Sequence, residues 1–265
     1  MIFKYRDLVD LDDSPGAFKS CFVFSLHKMG SSLINSMIKD VCLHEGIPNI
    51  NIPGALFKNG VPNNNWVNDK TLSSIIKDGY IYHSFRRFPK GLLEANVGLR
   101  ERKMVLLVRD PRDALVSAYY SYGGKHISHR LPDKNQEEFI KQINTTSNLD
   151  VNEYAIEKCR PLVNKLNEYI KFLNFDNVFI IKYENIYYDK LSSLKAIFNH
   201  FDIGVSATTL QNVSLKHDIR PEKEDITKHI RKGTPGDHKD KLSKETIDHL
   251  NNIFRETGSF FGYEM

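Results

Sequence analysis

A strand-like segment, a short polar loop and a helical pattern follow one another near the start of the chain. The apolar, β-prone run from Cys21 to Ser25 has the length of a buried parallel strand. Four residues that could bind phosphate come directly after it: Lys28, Gly30, Ser31 and Ser32. Apolar residues then recur at helical spacing, which predicts a helix that begins near Ser31. The first turn of such a helix points its backbone N–H groups outward and carries partial positive charge, so this loop is a candidate phosphate site.

The order of lysine and glycine separates this loop from a Walker A motif. In G-x-x-x-x-G-K-[ST] the lysine follows the second glycine, whereas Lys28 precedes Gly30. Taken alone, the loop is equally compatible with an ordinary strand-to-helix turn that carries a solvated lysine. Other parts of the chain decide between the two interpretations.

Two further basic clusters lie far from this loop in sequence. Arg109 directly follows the apolar run Met104 to Val108, and Ser117 lies eight residues after Arg109, inside the helix predicted to follow. A guanidinium fork and a serine hydroxyl are suited to two contacts with one phosphate group. The third cluster is residues 231–233 (RKG), in a late glycine loop. Three such clusters together indicate a ligand with two separated anionic groups.

Strand-like and helical segments alternate along the chain. Strands are predicted at Tyr80 to His83, Met104 to Val108 and Asn177 to Ile181, and long helices at Val151 to Leu173 and Leu191 to Phe201. This alternation predicts an α/β protein of P-loop-NTPase-like type: a three-layer sandwich with a central, mostly parallel sheet flanked by helices. Right-handed crossovers then bring the carboxyl ends of the strands, and the basic clusters, to one edge of the sheet.

The connections between these elements differ in character. Residues 44–70 are rich in Asn, Pro and Gly, which is typical of a binding loop and equally of a mobile linker. Thr71 to Asp78 is predicted as a short helix capped by Thr71. No repeat or linker composition interrupts the 265 residues, so we expect one domain over residues 1–265.

Composition narrows the class of protein further. The formal charge of +4 is too small to indicate nucleic-acid binding. No run approaches the roughly 20 apolar residues of a membrane span, and no secretory signal opens the chain, so we expect a soluble, cytoplasmic protein. Cys21 and Cys42 lie in apolar patterns and are predicted to be buried free thiols. No metal-binding spacing of His or Cys occurs, and we expect no metal.

Four segments resemble motifs of the sulfotransferases that use 3′-phosphoadenosine 5′-phosphosulfate (PAPS). In chain order they are residues 27–33 (HKMGSSL), 109–120 (RDPRDALVSAYY), 182–186 (KYENI) and 231–239 (RKGTPGDHK). The first is similar to the 5′-phosphosulfate loop P-K-S-G-T-T and the second to the 3′-phosphate segment of that family. The third resembles its Y-E-D-L strand exit, and the fourth its R-K-G-x-x-G-D-W-K loop.

The resemblance implies a PAPS-dependent sulfotransferase, with 3′,5′-adenosine bisphosphate (PAP) as product and no metal, together with a role for each matching residue. Lys28 would contact the sulfuryl group and its bridging oxygen. The 5′-phosphate would be held by the residues that follow it: Met29, Gly30, Ser31, Ser32 and Leu33. Tyr183 would reach the adenine. The 3′-phosphate would be held by Arg109, Ser117, Arg231, Lys232 and Gly233.

The chain departs from the family pattern at the position of the base for the acceptor hydroxyl. The family often has a histidine at the end of the second strand, and His83 lies one place early in the simplest alignment. A neutral histidine has a suitable pKa, so His83 is the predicted base, with His126 and His129 in reserve. A second departure is His238, where the family commonly has tryptophan.

The acceptor is predicted to be a small-molecule alcohol or phenol, in slight preference to a glycan. The loops that should shape its pocket offer several aromatic residues: Phe57, Trp66, Phe85, Phe88, Tyr119, Tyr120 and Tyr122. Two other classes remain open from the residues alone. One is a P-loop nucleotide kinase, which the lysine position disfavours, and the other is a non-catalytic nucleotide-binding module.

Overall fold

A computed structural model describes residues 5–9, 11, 16–95, 97–123, 133, 136–137, 148–173, 175–226, 228 and 230–265. Within these residues, five strands form one sheet in which every pairing is parallel, in the order β2-β3-β1-β4-β5. The strands are β1 (Cys21–Ser25), β2 (Asn49–Ile50), β3 (Ile81–Phe85), β4 (Met104–Val108) and β5 (Val178–Lys182). The predicted α/β fold with a parallel sheet is confirmed.

Helices connect the strands and cover the sheet. The main α-helices are α1 (Ser31–Glu45), α2 (Ile52–Lys58), α3 (Asn63–Trp66), α4 (Lys90–Glu94), α5 (Pro111–Ala118), α6 (Val151–Phe172), α7 (Tyr183–Tyr188), α8 (Lys190–Phe201), α9 (Ala207–Lys216), α10 (His238–Lys241) and α11 (Lys244–Phe260). A π-helical turn, Tyr119–Gly123, continues α5. None of the helices that the structure describes combines the length and the apolar character that crossing a bilayer requires.

The sheet is the middle layer of three, because its side chains alternate between two apolar cores. On β1, Phe22 and Phe24 enter one core together with residues of α6 and α11. Cys21 and Val23 enter the other core with residues of α1, α8 and α9. Strands buried on both faces read as continuous apolar runs, which is why the sequence located β1 and β4 to the residue.

The chain leaves β1 in a way that opens a crevice at the carboxyl edge of the sheet. The neighbours of β1 are β3 on one side and β4 on the other. The chain continues from β1 to β2, on the β3 side, and from β4 to β5, on the other side. The two connections therefore diverge, and ligands of α/β proteins bind at such a switch point. The loops that begin at residues 26, 86 and 109 all start at this edge.

Several predicted elements need correction, and the strand predicted at Asn177 to Ile181 lies one residue later, at Val178–Lys182. Residues 44–70 are not one loop, because they contain β2, α2 and α3; the Asn51 side chain caps α2 by accepting from the Gly54 amide at 2.7 Å. The short helix predicted from Thr71 is a 3-10 segment, Lys70–Ile75, and its cap is Asp69, whose Oδ1 accepts from the Thr71 amide at 2.8 Å. The strand predicted at Tyr80 to His83 begins one residue later and extends to Phe85.

Candidate active site

A cavity of about 890 Å³ lies at the carboxyl edge of the sheet. Residues from all four motif segments line it, although these segments are far apart in sequence. Of the predicted site residues, the wall contains Lys28, Gly30, Ser31, Ser32, Leu33, Arg109, Ser117, Tyr183, Arg231, Lys232 and Gly233. The structure therefore brings together the three basic clusters that the sequence analysis grouped.

The loop between β1 and α1 has a backbone shaped for close contact. Gly30 has φ of 92°, and a Cβ at this position would lie 2.4 Å from Cδ2 of Tyr183, so only glycine fits. Lys28 also has a left-handed backbone, with φ of 67°. No side chain caps α1 at Gly30. The first-turn amides of α1 therefore lie at the cavity wall with the positive end of the helix dipole.

Lys28 is held among other cations. Burial lowers the pKa of Lys28, and the positive charges of Arg109, Arg86 and Arg231 lower it further, to about 8. Like charges in one partly desolvated cavity repel one another. An arrangement of this kind is stabilised by a ligand that brings negative charge.

Arg109 is fixed in position yet keeps a free donor. Its guanidinium lies 4.4 Å from the centre of the Tyr183 ring, and Nη1 donates to the Lys28 carbonyl at 3.5 Å. Nη2 lies 3.6 Å from Oδ2 of Asp113. The Nε of Arg109 is buried and has no hydrogen-bond partner among the described residues. A buried guanidinium N–H without an acceptor is costly, and an anionic oxygen in the cavity would satisfy it.

Tyr183 connects three of the motif segments. Its ring packs under Gly30 and Arg109, and its hydroxyl donates to the Gly233 carbonyl at 2.6 Å. The side chain is only 8% exposed. Tyr183 lines the cavity as predicted, and its hydroxyl is already engaged by the late loop.

His238, the departure from the family pattern, has a defined role in packing. Its Nδ1 lies 2.7 Å from Oδ1 of Asp113, and the same carboxylate accepts from the backbone amides of His238 and Gly236 at 2.9 and 2.7 Å. Burial by itself raises the pKa of Asp113. The hydrogen bond from His238, the Arg109 charge and the two amides outweigh burial and hold this pKa at about 2. Asp113 thus attaches the late loop to α5, next to Arg109.

We expect Asp113→Asn to lower the free energy of unfolding by about 2–4 kcal/mol, because a buried carboxylate that accepts four polar contacts is replaced by an amide that must present a donor to some of them. Chemical denaturation measures the loss. Asp240→Asn is the matched control: Asp240 pairs with Lys232 at 3.1 Å but its side chain is 69% exposed, so its loss should stay below about 1 kcal/mol. Equal losses in the two variants would contradict the anchoring role of Asp113.

The cations of the late loop are paired within the protein. Arg231 contacts the carboxylates of Glu224 and Asp237 and lies 4.2 Å above the Tyr120 ring. Lys232 donates to Asp237 at 2.9 Å. Lys28, by contrast, has three cations among the groups that shift its pKa. The uncompensated positive charge of the cavity is therefore greatest around Lys28.

The predicted base, His83, lies behind the cavity wall. It is 2% exposed and is not among the described residues that line the cavity. Its Nδ1 is 3.0 Å from Oγ of Ser84, and its Nε2 is 3.2 Å from Oδ1 of Asn49. Ser84, the next residue, does line the cavity. A catalytic role for His83 stays a prediction, and it would have to operate through Ser84.

The sequence did not single out several polar residues of the wall, among them His27 and Arg86. His27 lines the cavity beside Lys28, and its Nδ1 is 3.3 Å from the Tyr122 hydroxyl. Arg86 also lines it, with a buried Nε that has no partner in the described part of the chain. His27 is adjacent to Lys28, and Arg86 lies three residues after His83. Proximity to these two predicted site residues was the available signal.

The remaining predicted residues are distributed as follows. Met29 is fully buried in the core and is not among the described residues that line the cavity, which corrects its assignment to the cavity wall. Phe85 and Phe88 are core residues as well, which corrects their assignment to the acceptor pocket. His126 and His129 lie outside the described residues. The other predicted aromatics in the cavity wall are Phe57, Trp66, Tyr120 and Tyr122.

The residues of the cavity fit a ligand with several anionic groups. Lys28, Arg86 and Arg109 supply cations, and α1 supplies a helix N-terminus. The buried Nε atoms of Arg86 and Arg109 have no hydrogen-bond partner in the part of the chain that the structure describes. PAPS carries such anionic groups at two positions of its ribose, a phosphate at the 3′ position and a phosphosulfate at the 5′ position. The residues described by the structure contain no group of three or more His, Cys, Asp or Glu side chains that could hold a metal ion.

The fold and the cavity define an α/β protein with a parallel sheet flanked by helices and a cation-rich cavity after its first strand. The family described as "Sulfotransferase domain" matches residues 83–262, which is more than half of the chain. The chain therefore belongs to the sulfotransferase family. The match does not include the loop at residues 27–33, so the structure is what joins that loop to the rest of the site.

Solved structures with the same fold include two sulfotransferases. The mouse sulfotransferase SULT7A1, crystallised with PAP, is 17% identical, with a TM-score of 0.60 over 93% of this chain and 87% of that one. An Arabidopsis thaliana putative steroid sulphotransferase is 12% identical, with a TM-score of 0.51 over 95% and 80%. At these identities the likeness shows the fold. No curated protein sequence matches the chain.

Proposed function

We propose that this protein transfers a sulfuryl group from PAPS to the hydroxyl of an acceptor, with residues 1–265 acting as one domain. The observation that carries the proposal is the cation cluster of one cavity at the positive end of α1. In it, three arginines lower the pKa of Lys28, and the buried Nε of Arg109 has no hydrogen-bond partner among the described residues. The mouse neighbour was crystallised with PAP, which is the product that this donor leaves.

The donor would be held at two places. The amides and hydroxyls of residues 30–33 would bind the 5′-phosphate, since they form the uncapped start of α1. Arg109 and Ser117 would bind the 3′-phosphate, with the late loop at residues 231–233 closing over it. The buried Nε of Arg109, which has no partner among the described residues, would donate to this phosphate. The Tyr183 ring, on which the guanidinium packs, would fix its orientation.

When bound, PAPS supplies the sulfuryl group, whose bond to the 5′-phosphate oxygen breaks as the acceptor oxygen bonds to sulfur. Lys28 would stabilise the negative charge that grows on the leaving oxygen, because its ammonium is already in place and partly desolvated. The proton of the acceptor hydroxyl must pass to the protein, and His83, which burial keeps neutral, is the proposed recipient.

We propose a small-molecule alcohol or phenol as acceptor, in preference to a glycan. Aromatic residues of the predicted acceptor loops line the cavity, which suits a flat or apolar molecule: Phe57, Trp66, Tyr120 and Tyr122. The charge of Arg86 in the same wall leaves room for an acidic group on the acceptor.

Thermal denaturation with nucleotides tests the donor assignment. PAP should raise the melting temperature without added metal, while ATP with Mg²⁺ should raise it much less, because ATP has no 3′-phosphate for Arg109 and Ser117. Adenosine 5′-phosphate is the matched control for the missing 3′-phosphate. An equal or larger shift with Mg-ATP would favour a kinase and contradict the proposal.

A screen with ³⁵S-labelled PAPS tests the transfer itself. Alcohols, phenols and glycans are offered in parallel, and labelled products are separated from the donor. We expect transfer to at least one alcohol or phenol. PAP binding without transfer to any acceptor class would support a non-catalytic nucleotide-binding module instead.

A further inference from the structure

Strand β3 contains an irregularity at the point where it meets the cavity. Phe22 of β1 pairs with Tyr82, but Phe24 pairs with Phe85, so β3 has one residue more than its partner over this stretch. Such a β-bulge re-aims side chains and is common next to active sites. The extra residue places both His83 and Ser84 opposite a single position of β1.

The backbone of Ser84 is held in an unusual conformation. Its φ is 71°, a region that serine rarely adopts. Its backbone amide donates to Oδ1 of Asn35 on α1 at 3.1 Å, which supports this conformation. The result is that the Ser84 side chain lies in the cavity wall while its hydroxyl remains within hydrogen-bond distance of His83.

The hydrogen bonds of His83 define which of its ring nitrogens carries the proton. Asn49 donates through Nδ2 to the Ile47 carbonyl at 3.3 Å, so its Oδ1 is the atom that faces His83. Oδ1 can only accept, and His83 Nε2 must therefore be protonated. Nδ1 is then an acceptor, and the hydrogen of the Ser84 hydroxyl points toward it at an Oγ–Nδ1 distance of 3.0 Å.

We propose that Ser84, His83 and Asn49 form a proton relay, in which Ser84 rather than a histidine contacts the acceptor. The inference rests on the sulfuryl-transfer function proposed above. Ser84 turns a lone pair of Oγ toward the cavity, because its own hydrogen is directed at His83. Asn49 is a positioning residue, since it fixes the tautomer and orientation of the imidazole.

The relay conserves protons and charge. As the acceptor oxygen bonds to sulfur, its O–H bond breaks and the proton passes to Oγ of Ser84. The original Ser84 O–H bond breaks at the same time, and that proton passes to Nδ1 of His83. Ser84 is again a neutral hydroxyl, and His83 becomes an imidazolium whose Nε2–H remains bonded to Asn49. Return of the proton to water resets the site.

The surroundings of His83 keep it ready to accept a proton at neutral pH. Burial lowers the pKa of His83 to about 4, and the charge of Lys39 on α1 acts in the same direction. The imidazole is thus neutral from about pH 5 upward. An acceptor oxygen already bonded to sulfur is a strong acid, so a weak base is sufficient to take its proton. The acid limb of the pH–rate profile should consequently lie below pH 5.

The test compares Ser84→Ala, His83→Gln and the double variant with the wild-type protein. Turnover with labelled PAPS and a primary alcohol from the screen should fall by about 10²-fold in each single variant. The double variant should lose no more than either single one, because the residues act as a unit. Affinity for PAP, measured by calorimetry, should change by less than about threefold in Ser84→Ala.

A series of phenols of decreasing pKa distinguishes proton transfer through Ser84 from a purely structural role. A structural role would give the same loss of turnover in Ser84→Ala with every phenol. The loss in Ser84→Ala should shrink as the phenol becomes more acidic, since an ionised phenol has no proton to give. A second readout needs no activity: ¹⁵N NMR of labelled histidine should show His83 protonated at Nε2, and Ser84→Ala should shift its Nδ1 signal.

Three results would overturn the relay. The first is near-normal turnover in Ser84→Ala. The second is a His83 ring protonated only at Nδ1. The third is a His27→Gln variant that loses both turnover and the acid limb of the pH–rate profile, while Ser84→Ala keeps both. The last result would make His27 the base. In each of these cases wild-type PAP binding would survive, so the proposed function would stand. A wild-type protein that binds no PAP would instead refute the proposed function, and the relay with it.

Discussion

Lys28→Ala is expected to lower kcat for sulfuryl transfer by about 10²–10³-fold, because the role proposed for Lys28 is to stabilise the negative charge that grows on the leaving oxygen. The protein should remain folded. The wild-type residue carries a positive charge beside Arg109, Arg86 and Arg231, so its removal relieves repulsion, and the melting temperature should not fall. Lys19→Ala is the matched control: it removes the same charge just before β1 instead of just after it, at an exposed position. Unchanged turnover in Lys28→Ala would contradict its catalytic role.

Comparing Lys28→Gly with Lys28→Ala distinguishes the effect of backbone strain at this residue from the effect of losing its charge. Lys28 has φ of 67°, and a left-handed conformation costs about 1–2 kcal/mol for a residue with a Cβ. Lys28→Gly should therefore be more stable than Lys28→Ala by about 1 kcal/mol, with the same loss of turnover. A protein that keeps a strained lysine at this position trades stability for function, and denaturation of the two variants would measure the trade.

The pH dependence of PAP binding gives an independent measure of the Lys28 environment. The pKa of Lys28 is about 8 without ligand, and a bound anion stabilises the ammonium and raises this pKa. Below pH 8 the side chain already carries its proton, so this group adds no pH dependence. Above pH 8 binding takes up a proton, and affinity should fall by up to about tenfold per pH unit. Calorimetry in buffers of different ionisation enthalpy would detect the proton uptake, which Lys28→Ala should abolish.

Local patterns in the sequence located the parts of the site that depend on local structure. Strand β1, the start of α1 and the anion loop between them follow from an apolar run and the residues just after it. Arg109 and Ser117 were found for a similar reason. Asp110 caps α5 by accepting from the Arg112 amide at 2.9 Å, and this cap signal, with proline next to it, is legible in the sequence.

The features that the sequence did not reveal depend on contacts between distant segments. The bulge in β3 is invisible because all five strand residues are buried, so no change in apolar pattern marks the extra residue. Strand β2 is two residues long and lies among Asn and Pro, which favour loops. As a result, Asn49 could not be connected with His83, which lies 34 positions away. The hydrogen bond between them exists only once β2 has paired with β3.

The family resemblance and the geometry together explain why His83 lies one place early. The aligned position is occupied by Ser84, and the bulge turns that residue into the cavity. In a sequence alignment without gaps, His83 looks like the family's histidine displaced by one position, with Ser84 in its place. In the folded chain they are neighbours in one hydrogen-bonded chain that begins at the cavity wall and ends at Asn49.

Arg109→Ala is expected to weaken PAP binding by about 10²–10³-fold, since truncating one partner of a buried, hydrogen-bonded charge pair costs roughly 2–5 kcal/mol. The buried Nε of Arg109 has no partner in the part of the chain that the structure describes, and the ring of Tyr183 lies 4.4 Å from the guanidinium. A 3′-phosphate would provide the missing acceptor. Arg109→Lys keeps the charge but loses the planar fork, so its affinity should fall by about tenfold or more.

Adenosine 5′-phosphate turns this loss into a test of position. This ligand lacks the 3′-phosphate, so wild-type protein should prefer PAP strongly, and Arg109→Ala should bind both ligands almost equally. Arg112→Ala is the matched control from the same helix: Arg112 pairs with Asp110 at 2.7 Å and also donates to Asn251, and it is not among the described residues that line the cavity. Its substitution should leave the preference for PAP intact. If Arg109→Ala weakened both ligands by the same factor, Arg109 would support the shape of the cavity rather than hold the 3′-phosphate.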